Sequence, residues 1–260
     1  MKKKRATWYL VIVFILLYLP IFYLIFYSFN SAGNMQHFEH FTWQYYQELW
    51  HDSRLIQIVL QTFFLAFLSA LIATVIGVFG ALYLHYLKKK RQNIVLNFNN
   101  ILLVSPDVII GASFLIFFTL IGMKLGFVSV LLSHIAFSIP IVVLMVLPKI
   151  NEMPQSLIDA SYDLGATPSM TLWRVILPYL TPGIIAGYFM AFTYSLDDFA
   201  VTFFVTGNGF TTLAVEIYSR ARQGISLEIN ALSTLIFIFA LFLVIGYYYI
   251  SKNEHKEDAK

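Results

Sequence analysis

Six long apolar stretches dominate the sequence and restrict the folds that are open to it. They run approximately over residues 8–29, 55–87, 94–121, 127–147, 182–206 and 229–250. Each is close to or above the roughly 20 residues that a helix needs to cross the hydrocarbon core of a bilayer. The chain is 59% hydrophobic and 12% charged, whereas soluble domains carry about 45–50% apolar and about 25% charged residues. The sequence therefore predicts an all-α membrane protein with six transmembrane helices, forming a single transmembrane domain over residues 1–260.

The placement of Lys and Arg predicts the orientation of these spans. Of the 17 basic residues, four precede the first span, four form the run Lys88–Arg91, two lie in segment 148–178 and three follow the last span. All of these segments lie on one side if the spans alternate, and cytoplasmic segments carry the excess of Lys and Arg. We therefore expect a multi-pass protein with both termini in the cytoplasm. The tail 251–260 mixes both signs of charge and is predicted to be disordered.

The cytoplasmic segment 148–178 carries two sets of helix boundary signals. Gly165 is suited to end a first helix in the left-handed conformation. Thr167 and Pro168 are typical of the N-cap and first residue of a second helix, which Pro178 is predicted to end. The segment is therefore expected to form a helical elbow on the cytoplasmic side. A solvated acidic face remains the alternative for its two aspartates, Asp159 and Asp163, which are four residues apart.

The same segment resembles the EAA signature of permeases from binding-protein-dependent ATP-binding-cassette (ABC) importers. Asp159-Ala160-Ser161 is followed after three residues by Gly165 and after nine more by Val175-Ile176-Leu177-Pro178. The family pattern has Glu-Ala-Ala and Ile-x-Leu-Pro at these places, so the spacing agrees and the departures are modest. The resemblance implies a type I ABC importer permease fold, in which the elbow is a coupling helix for a separate ATPase. It assigns this coupling to Asp159, Ala160, Ser161, Gly165, Leu177 and Pro178.

Other segments are similar to the spermidine/putrescine branch of that family. They are Ser195–Phe199, Phe204–Gly207, Ile217–Ser219 and Gly224–Ala231. The resemblance implies the channel-forming subunit of a polyamine importer in a bacterial inner or plasma membrane. It also implies a second homologous permease subunit, two ATP-binding ATPase subunits and an external polyamine-binding protein as partners. Related permeases serve iron, thiamine and aminoethylphosphonate importers, and these substrates remain alternatives.

Three aspartates within the apolar stretches are candidates for the substrate path. An acid at the centre of a span costs about 2.5–3.5 kcal/mol on insertion scales, so it normally faces the bundle interior or water. Asp107 follows a proline in the third stretch, and Asp197 and Asp198 lie in the fifth. If the fifth stretch is one helix, Asp198 shares a face with Tyr194. Carboxylates would hold the ammonium groups of a polyamine, and the Tyr194 ring could add cation–π contact.

Other roles for these acids stay open. They could cap a helix end or pair with basic residues of another subunit. A proton-coupled secondary transporter that uses them with His134 as a relay is a further alternative, although the sequence has no evident inverted repeat. His134 is expected to be a hydrogen-bonded packing residue.

The sequence contains none of the patterns expected of an enzyme. It has no Gly-x-x-x-x-Gly-Lys-Ser/Thr phosphate loop, so ATP hydrolysis is expected in partner subunits. It has no cysteine and no cluster with metal-ligand spacing. We therefore expect no cofactor, no metal and no nucleic acid on this chain.

Overall fold

The computed structural model describes residues 2–224 and 227–257, and this part of the chain is helical with no strand. The helices are α1 (Lys2–Tyr27), α2 (Gln44–His51), α3 (Ser53–Tyr86), α4 (Lys89–Val104), α5 (Asp107–Leu120), α6 (Phe127–Glu152), α7 (Gln155–Asp163), α8 (Pro168–Thr171), a π-helical turn (Leu172–Ile176), α9 (Leu177–Asp197), α10 (Ala200–Val205), α11 (Leu213–Gln223) and α12 (Leu227–Glu257). The prediction of an all-α protein is confirmed.

Four of these helical stretches are long and apolar enough to cross a membrane: 7–27, 53–86, 127–152 and 168–197. Helices α4 and α5 would make a fifth span together, but they are bent by 104°. The apolar part of α12, residues 227–242, is shorter. The count of six spans therefore stays a prediction. Within the predicted tail, residues 251–257 are helical, and residues 258–260 lie outside the described part of the chain, as do residues 225–226.

The third predicted span is broken next to Pro106. Helix α4 ends at Val104, Ser105 is extended with φ −74° and ψ 140°, and α5 begins at Asp107. A residue before proline disfavours the helical conformation because its backbone clashes with the proline ring. The expectation of one helix over 94–121 is therefore wrong, and the proline is the physical reason.

The fifth predicted span is also broken, at Asp198. Helix α9 ends at Asp197, Asp198 has φ −63° and ψ 118°, and α10 begins at Ala200. Neither proline nor glycine lies at this break. The expectation that Asp198 continues a regular helical face from Tyr194 is wrong, because Asp198 itself is extended.

The elbow partly agrees with its prediction. Gly165 has φ +80°, and the Oγ1 atom of Thr167 accepts a hydrogen bond from the Met170 N–H at 3.3 Å as the N-cap of α8. Helix α6 continues through Pro148 to Glu152. Pro178 does not end a helix, so the boundary prediction for Pro178 is wrong.

The π-helical turn explains why the chain passes Pro178 without a break. The Leu177 N–H bonds to the Leu172 carbonyl, five residues back. A π-turn inserts one extra residue into the helical repeat, and Pro178 lies two residues after its end. Because Pro178 has no N–H, it needs no carbonyl acceptor at that point. Residues 168–197 thus form one uninterrupted helical stretch.

Residues 58–216 form one compact unit centred on α6. Val142 of α6 lies between two glycines: a Cβ on Gly77 of α3 would lie 2.7 Å from the Val142 Cβ, and one on Gly187 of α9 would lie 3.3 Å from the Val142 Cα. Small residues let membrane helices approach closely. A second buried cluster joins α5 and α10 through Ile110, Val201 and Val205.

Residues up to 57 and from 217 onwards form a second unit. In it the Arg220 guanidinium bridges Asp52 at 3.2 Å and Glu228 at 2.6 Å. The hydrogen bond from the Leu55 N–H, assisted by Arg220 and opposed by partial burial, holds the pKa of Asp52 below its ordinary value. Asp52 is thereby ionised where it precedes α3.

Candidate functional site: a transport path and a cytoplasmic elbow

Two of the predicted path acids are exposed and lie with Tyr194. Asp107 is the first residue of α5, where the helix dipole favours a negative charge. The Tyr194 Oη atom donates a hydrogen bond to the Asp107 Oδ1 atom at 2.9 Å. Asp197 follows Tyr194 by three residues and ends α9, so both project from the same helix face. We call Asp107, Tyr194 and Asp197 the exposed acid group.

Asp198 has a different environment from its neighbour. Its side chain is only 5% exposed. Its Oδ2 atom accepts hydrogen bonds from the N–H and the hydroxyl of Thr202, both at 2.8 Å. Its Oδ1 atom accepts one from the Val201 N–H at 3.3 Å. Asp198 therefore binds the first turn of α10, which corresponds to the helix-capping role that the sequence had left open.

His134 of α6 is buried beside Asp198 and forms hydrogen bonds at both ring nitrogens. Its Nδ1 atom lies 2.7 Å from the Ser195 Oγ atom, and its Nε2 atom lies 2.9 Å from the Thr202 Oγ1 atom. The prediction of a hydrogen-bonded packing residue is confirmed. Ser195 also contacts Ser69 of α3 at 3.0 Å. Sequence reasoning missed Ser69, because a serine in an apolar helix ordinarily bonds within its own helix.

The predicted coupling residues divide into exposed and inward-facing sets. Asp159, Ala160 and Gly165 are exposed, as is Pro178. Ser161 is buried, where its hydroxyl contacts the Thr171 Oγ1 atom at 2.8 Å. That contact joins α7 to α8. Leu177 packs against the buried cluster that includes Val142 of α6.

Large apolar side chains are exposed on the same elbow. Leu164 is 89% exposed and Trp173 is 62% exposed, and three further residues share this character: Leu157, Tyr162 and Met170. A cluster of exposed apolar side chains is typical of a surface that contacts another protein. Leu164 lies directly before the turn at Gly165.

A mainly apolar cavity of about 490 Å³ lies in the angle between α4 and α5. Its lining includes Ser105 and Ile109, the residues two positions before and after Asp107. Asp107 itself is not among the lining residues.

Comparison with known sequences supplies a family and named relatives. Residues 73–252 match the family described as binding-protein-dependent transport system inner membrane component. The chain is 33% identical to the spermidine/putrescine transport system permease protein PotC of Haemophilus influenzae, over 95% of this chain and 96% of that protein. It is 35% identical to PotC of Escherichia coli strain K12, over 94% and 92%. It is 34% identical to the putrescine transport system permease protein PotI of the same strain, over 89% and 86%.

Comparison with solved structures supports the fold. A chain of a bacterial ABC transporter involved in the import of the acidic polysaccharide alginate matches with a TM-score of 0.72 and 17% identity, covering 97% of this chain and 98% of that one. A chain of the inward-facing MetNI methionine ABC transporter matches with a TM-score of 0.60 and 20% identity, covering 74% and 92%. At these identities the likeness concerns the fold alone, and it confirms the predicted type I ABC importer permease fold.

Proposed function

This chain belongs to the family of binding-protein-dependent transport system inner membrane components, and we propose that it is the permease subunit of an ABC importer that carries spermidine and putrescine into the cytoplasm. The observation that carries the substrate assignment is the 33–35% identity, over at least 94% of the chain, to relatives named as spermidine/putrescine permeases. As a member of this family, the chain is a multi-pass protein of the bacterial inner membrane.

The exposed acid group provides chemistry that suits a polyamine. A polyamine is a flexible chain of ammonium groups separated by methylenes. Asp107 and Asp197 offer carboxylates to the ammonium groups, and the Tyr194 ring offers an aromatic face for cation–π contact, worth about 0.5–2 kcal/mol. The apolar cavity between α4 and α5 suits the methylene segments. Asp107, Asp197 and Tyr194 form the substrate path of the proposal.

The proposed partners follow from the family. A binding-protein-dependent system needs an external binding protein, and an ABC importer needs ATPase subunits and a second permease. We place one of the two ATPase subunits at this elbow, against exposed Asp159, Ala160 and Gly165 and the apolar side chains of Leu164 and Trp173. The excess of Lys and Arg places the elbow and both termini in the cytoplasm. ATP is hydrolysed by those partners, and this chain carries no cofactor.

A reconstituted complex tests the substrate and the energy source together. Labelled spermidine uptake is measured in proteoliposomes that contain both permeases, the ATPase and the binding protein. Uptake should require ATP and the ATPase, and excess putrescine or spermine should compete while thiamine, ferric iron and aminoethylphosphonate should not. Competition only by one of the latter three would contradict the polyamine assignment. Uptake by this chain alone, driven by a proton gradient, would contradict the ABC mechanism.

Single substitutions test the exposed acid group. Asp107→Asn and Asp197→Asn should each raise the KM for spermidine, because each removes one carboxylate from the path. Glu48→Gln is the matched control, since Glu48 is an exposed acid on α2 and is not a member of this group. The amount of ATPase that co-purifies should be the same for all three variants. Unchanged KM values for both aspartate variants would exclude the group from the path.

A further inference from the structure

A buried polar network surrounds the break between α9 and α10. Its members are Ser69 of α3, His134 of α6, Ser195 of α9, Asp198 at the break and Thr202 of α10. Ser69, His134 and Thr202 are fully buried, and Ser195 nearly so. Buried polar groups away from water are costly unless their hydrogen bonds are made. The network therefore depends on all of its contacts being formed at once, which holds four segments in one arrangement.

The proton positions near Asp198 follow from the donors available. Thr202 donates its hydroxyl proton to the Asp198 Oδ2 atom at 2.8 Å. The Thr202 oxygen is then left to accept, so the His134 Nε2 atom, 2.9 Å away, carries a proton and donates it. The order of donation runs from His134 to Thr202 to Asp198. The same Nε2 atom lies 3.5 Å from the Asp198 Oδ2 atom.

These contacts leave Asp198 poorly placed to bind a passing cation. Its Oδ2 atom accepts two hydrogen bonds from Thr202, and its Oδ1 atom accepts one from Val201. With 5% of its side chain exposed, an ammonium group would have to displace α10 to reach it. Asp197, the preceding residue, is exposed at the end of α9.

The network instead determines where the exposed acid group lies. By binding the first N–H groups of α10, Asp198 ends α9 at Asp197 and keeps that residue one turn from Tyr194. It also holds α10 against α5, where a Cβ on Gly111 would lie 3.0 Å from the Val201 Cα. Asp107 begins α5, which α10 touches, and Asp197 ends α9, which α10 follows. Both exposed carboxylates therefore lie on helices next to α10.

We infer that His134, Thr202 and Asp198 are positioning residues, which hold the α9–α10 break and so place Asp197 and Asp107 for the substrate, while Asp198 itself does not touch the substrate. The inference rests on the proposed polyamine path for its effect on transport. This inference differs from the expectation that Asp198 is a direct ligand of the substrate. Thr202 distinguishes the two ideas, because it belongs to the network but bears no charge that could bind an ammonium group.

Thr202 offers a matched pair of variants for this test. Thr202→Val removes the hydroxyl and keeps the shape, whereas Thr202→Ser keeps the hydroxyl. In the reconstituted complex, Thr202→Val should raise the KM for spermidine roughly 10-fold, the effect of losing a hydrogen bond to a charged group, and Thr202→Ser should stay close to wild type. Asp198→Asn should have a similar effect, and the double variant Thr202→Val/Asp198→Asn should be no worse than the stronger single one. A wild-type KM in Thr202→Val alongside a raised KM in Asp198→Asn would overturn the inference.

A second measurement does not depend on transport. The chain contains no cysteine, so Asp197→Cys provides a unique thiol at the exposed acid group. We compare its rate of labelling by a water-soluble maleimide in the assembled complex, with Asp197→Cys alone as the reference. The rate should change in the Thr202→Val background and match the reference in the Thr202→Ser background. Equal rates in both backgrounds would overturn the positioning role. If the wild-type complex does not transport polyamines, the proposed function is refuted. The labelling result then decides the positioning role by itself.

Discussion

Substituting Gly111 by alanine would separate α5 from α10. A Cβ at this position would lie 2.8 Å from the Phe204 Cδ2 atom, 3.0 Å from the Val201 Cα atom and 3.1 Å from the Ala200 carbonyl oxygen. Carbon atoms in favourable contact lie about 3.5–4.0 Å apart, so α10 would have to move by about 0.5–1 Å. Two of the three neighbours are backbone atoms, and a rotamer change cannot relieve those contacts.

The expected cost follows from two opposing effects. Overpacking of this kind destabilises proteins by about 1–3 kcal/mol. Replacing a helical glycine by alanine contributes about 1 kcal/mol in the other direction. The net loss of about 0–2 kcal/mol corresponds to a fall in Tm of up to roughly 4–8 °C at about 2–4 °C per kcal/mol. Because α10 carries Thr202 and follows the path acids, the KM for spermidine should rise as well.

Gly80→Ala is the matched control for this substitution. Gly80 lies in α3, where a Cβ would meet only the Val143 Cγ2 atom at 3.9 Å, an ordinary contact. Thermal unfolding of the purified complex and spermidine uptake are measured for both variants. Gly80→Ala should keep or raise the Tm, and its uptake should match wild type. The packing argument is refuted if Gly111→Ala is as stable and as active as Gly80→Ala.

Three further predictions concern separate parts of the chain. Tyr194→Phe removes the hydrogen bond to Asp107 and should raise the KM for spermidine about fivefold, equivalent to about 1 kcal/mol. Tyr83→Phe, at an exposed position of α3, should leave the KM unchanged. Equal KM values for the two variants would count against a role of the exposed acid group in the substrate path. Gly165→Arg should reduce co-purification of the ATPase, because the arginine adds bulk and strain at φ +80°. Gly165→Asn should retain more of the ATPase. If the arginine variant co-purifies with the ATPase at full stoichiometry, the elbow is not the docking site. The pKa of Asp52 is lowered in the folded state, so its ionised form stabilises the fold above the unfolded pKa of about 3.9, and this contribution is lost as pH falls through the lower folded value. The Tm advantage of wild type over Asp52→Asn should therefore be present at pH 7 and shrink below about pH 4. A pH-independent difference in Tm would refute this account.

Local backbone chemistry made parts of the fold predictable from sequence. Gly165 and the Thr167-Pro168 pair have strong intrinsic preferences, and the structure places both as their residue types require. Pro106 was a recognisable irregularity, but the 104° bend beside it depends on packing between helices. Pro178 was misread as a helix end, because a π-turn depends on the surrounding helix and has no single-residue signature.

The candidate site was predictable in its residue types and unpredictable in its contacts. Aspartates in apolar stretches are costly and therefore conspicuous, which is why Asp107, Asp197 and Asp198 could be named. Asp198 and Thr202 are four residues apart, a spacing that fits a continuous helix face as well as a side chain capping a new helix. The contact between Ser69 and Ser195 joins positions 126 residues apart, and such a pairing exists only once the helices have packed.

The unbroken helical stretch from Pro168 to Asp197 has a mechanical consequence. Its 30 residues, at 1.5 Å each, make a rod of about 45 Å with the elbow at one end and Asp197, a proposed path acid, at the other. A tilt of only about 5° about the elbow would sweep the far end sideways by about 4 Å on this length. That distance exceeds the 2.9 Å that separates Tyr194 from Asp107. A small rotation where an ATPase would grip the chain is thus large enough, by leverage alone, to open or close the contact between those two side chains.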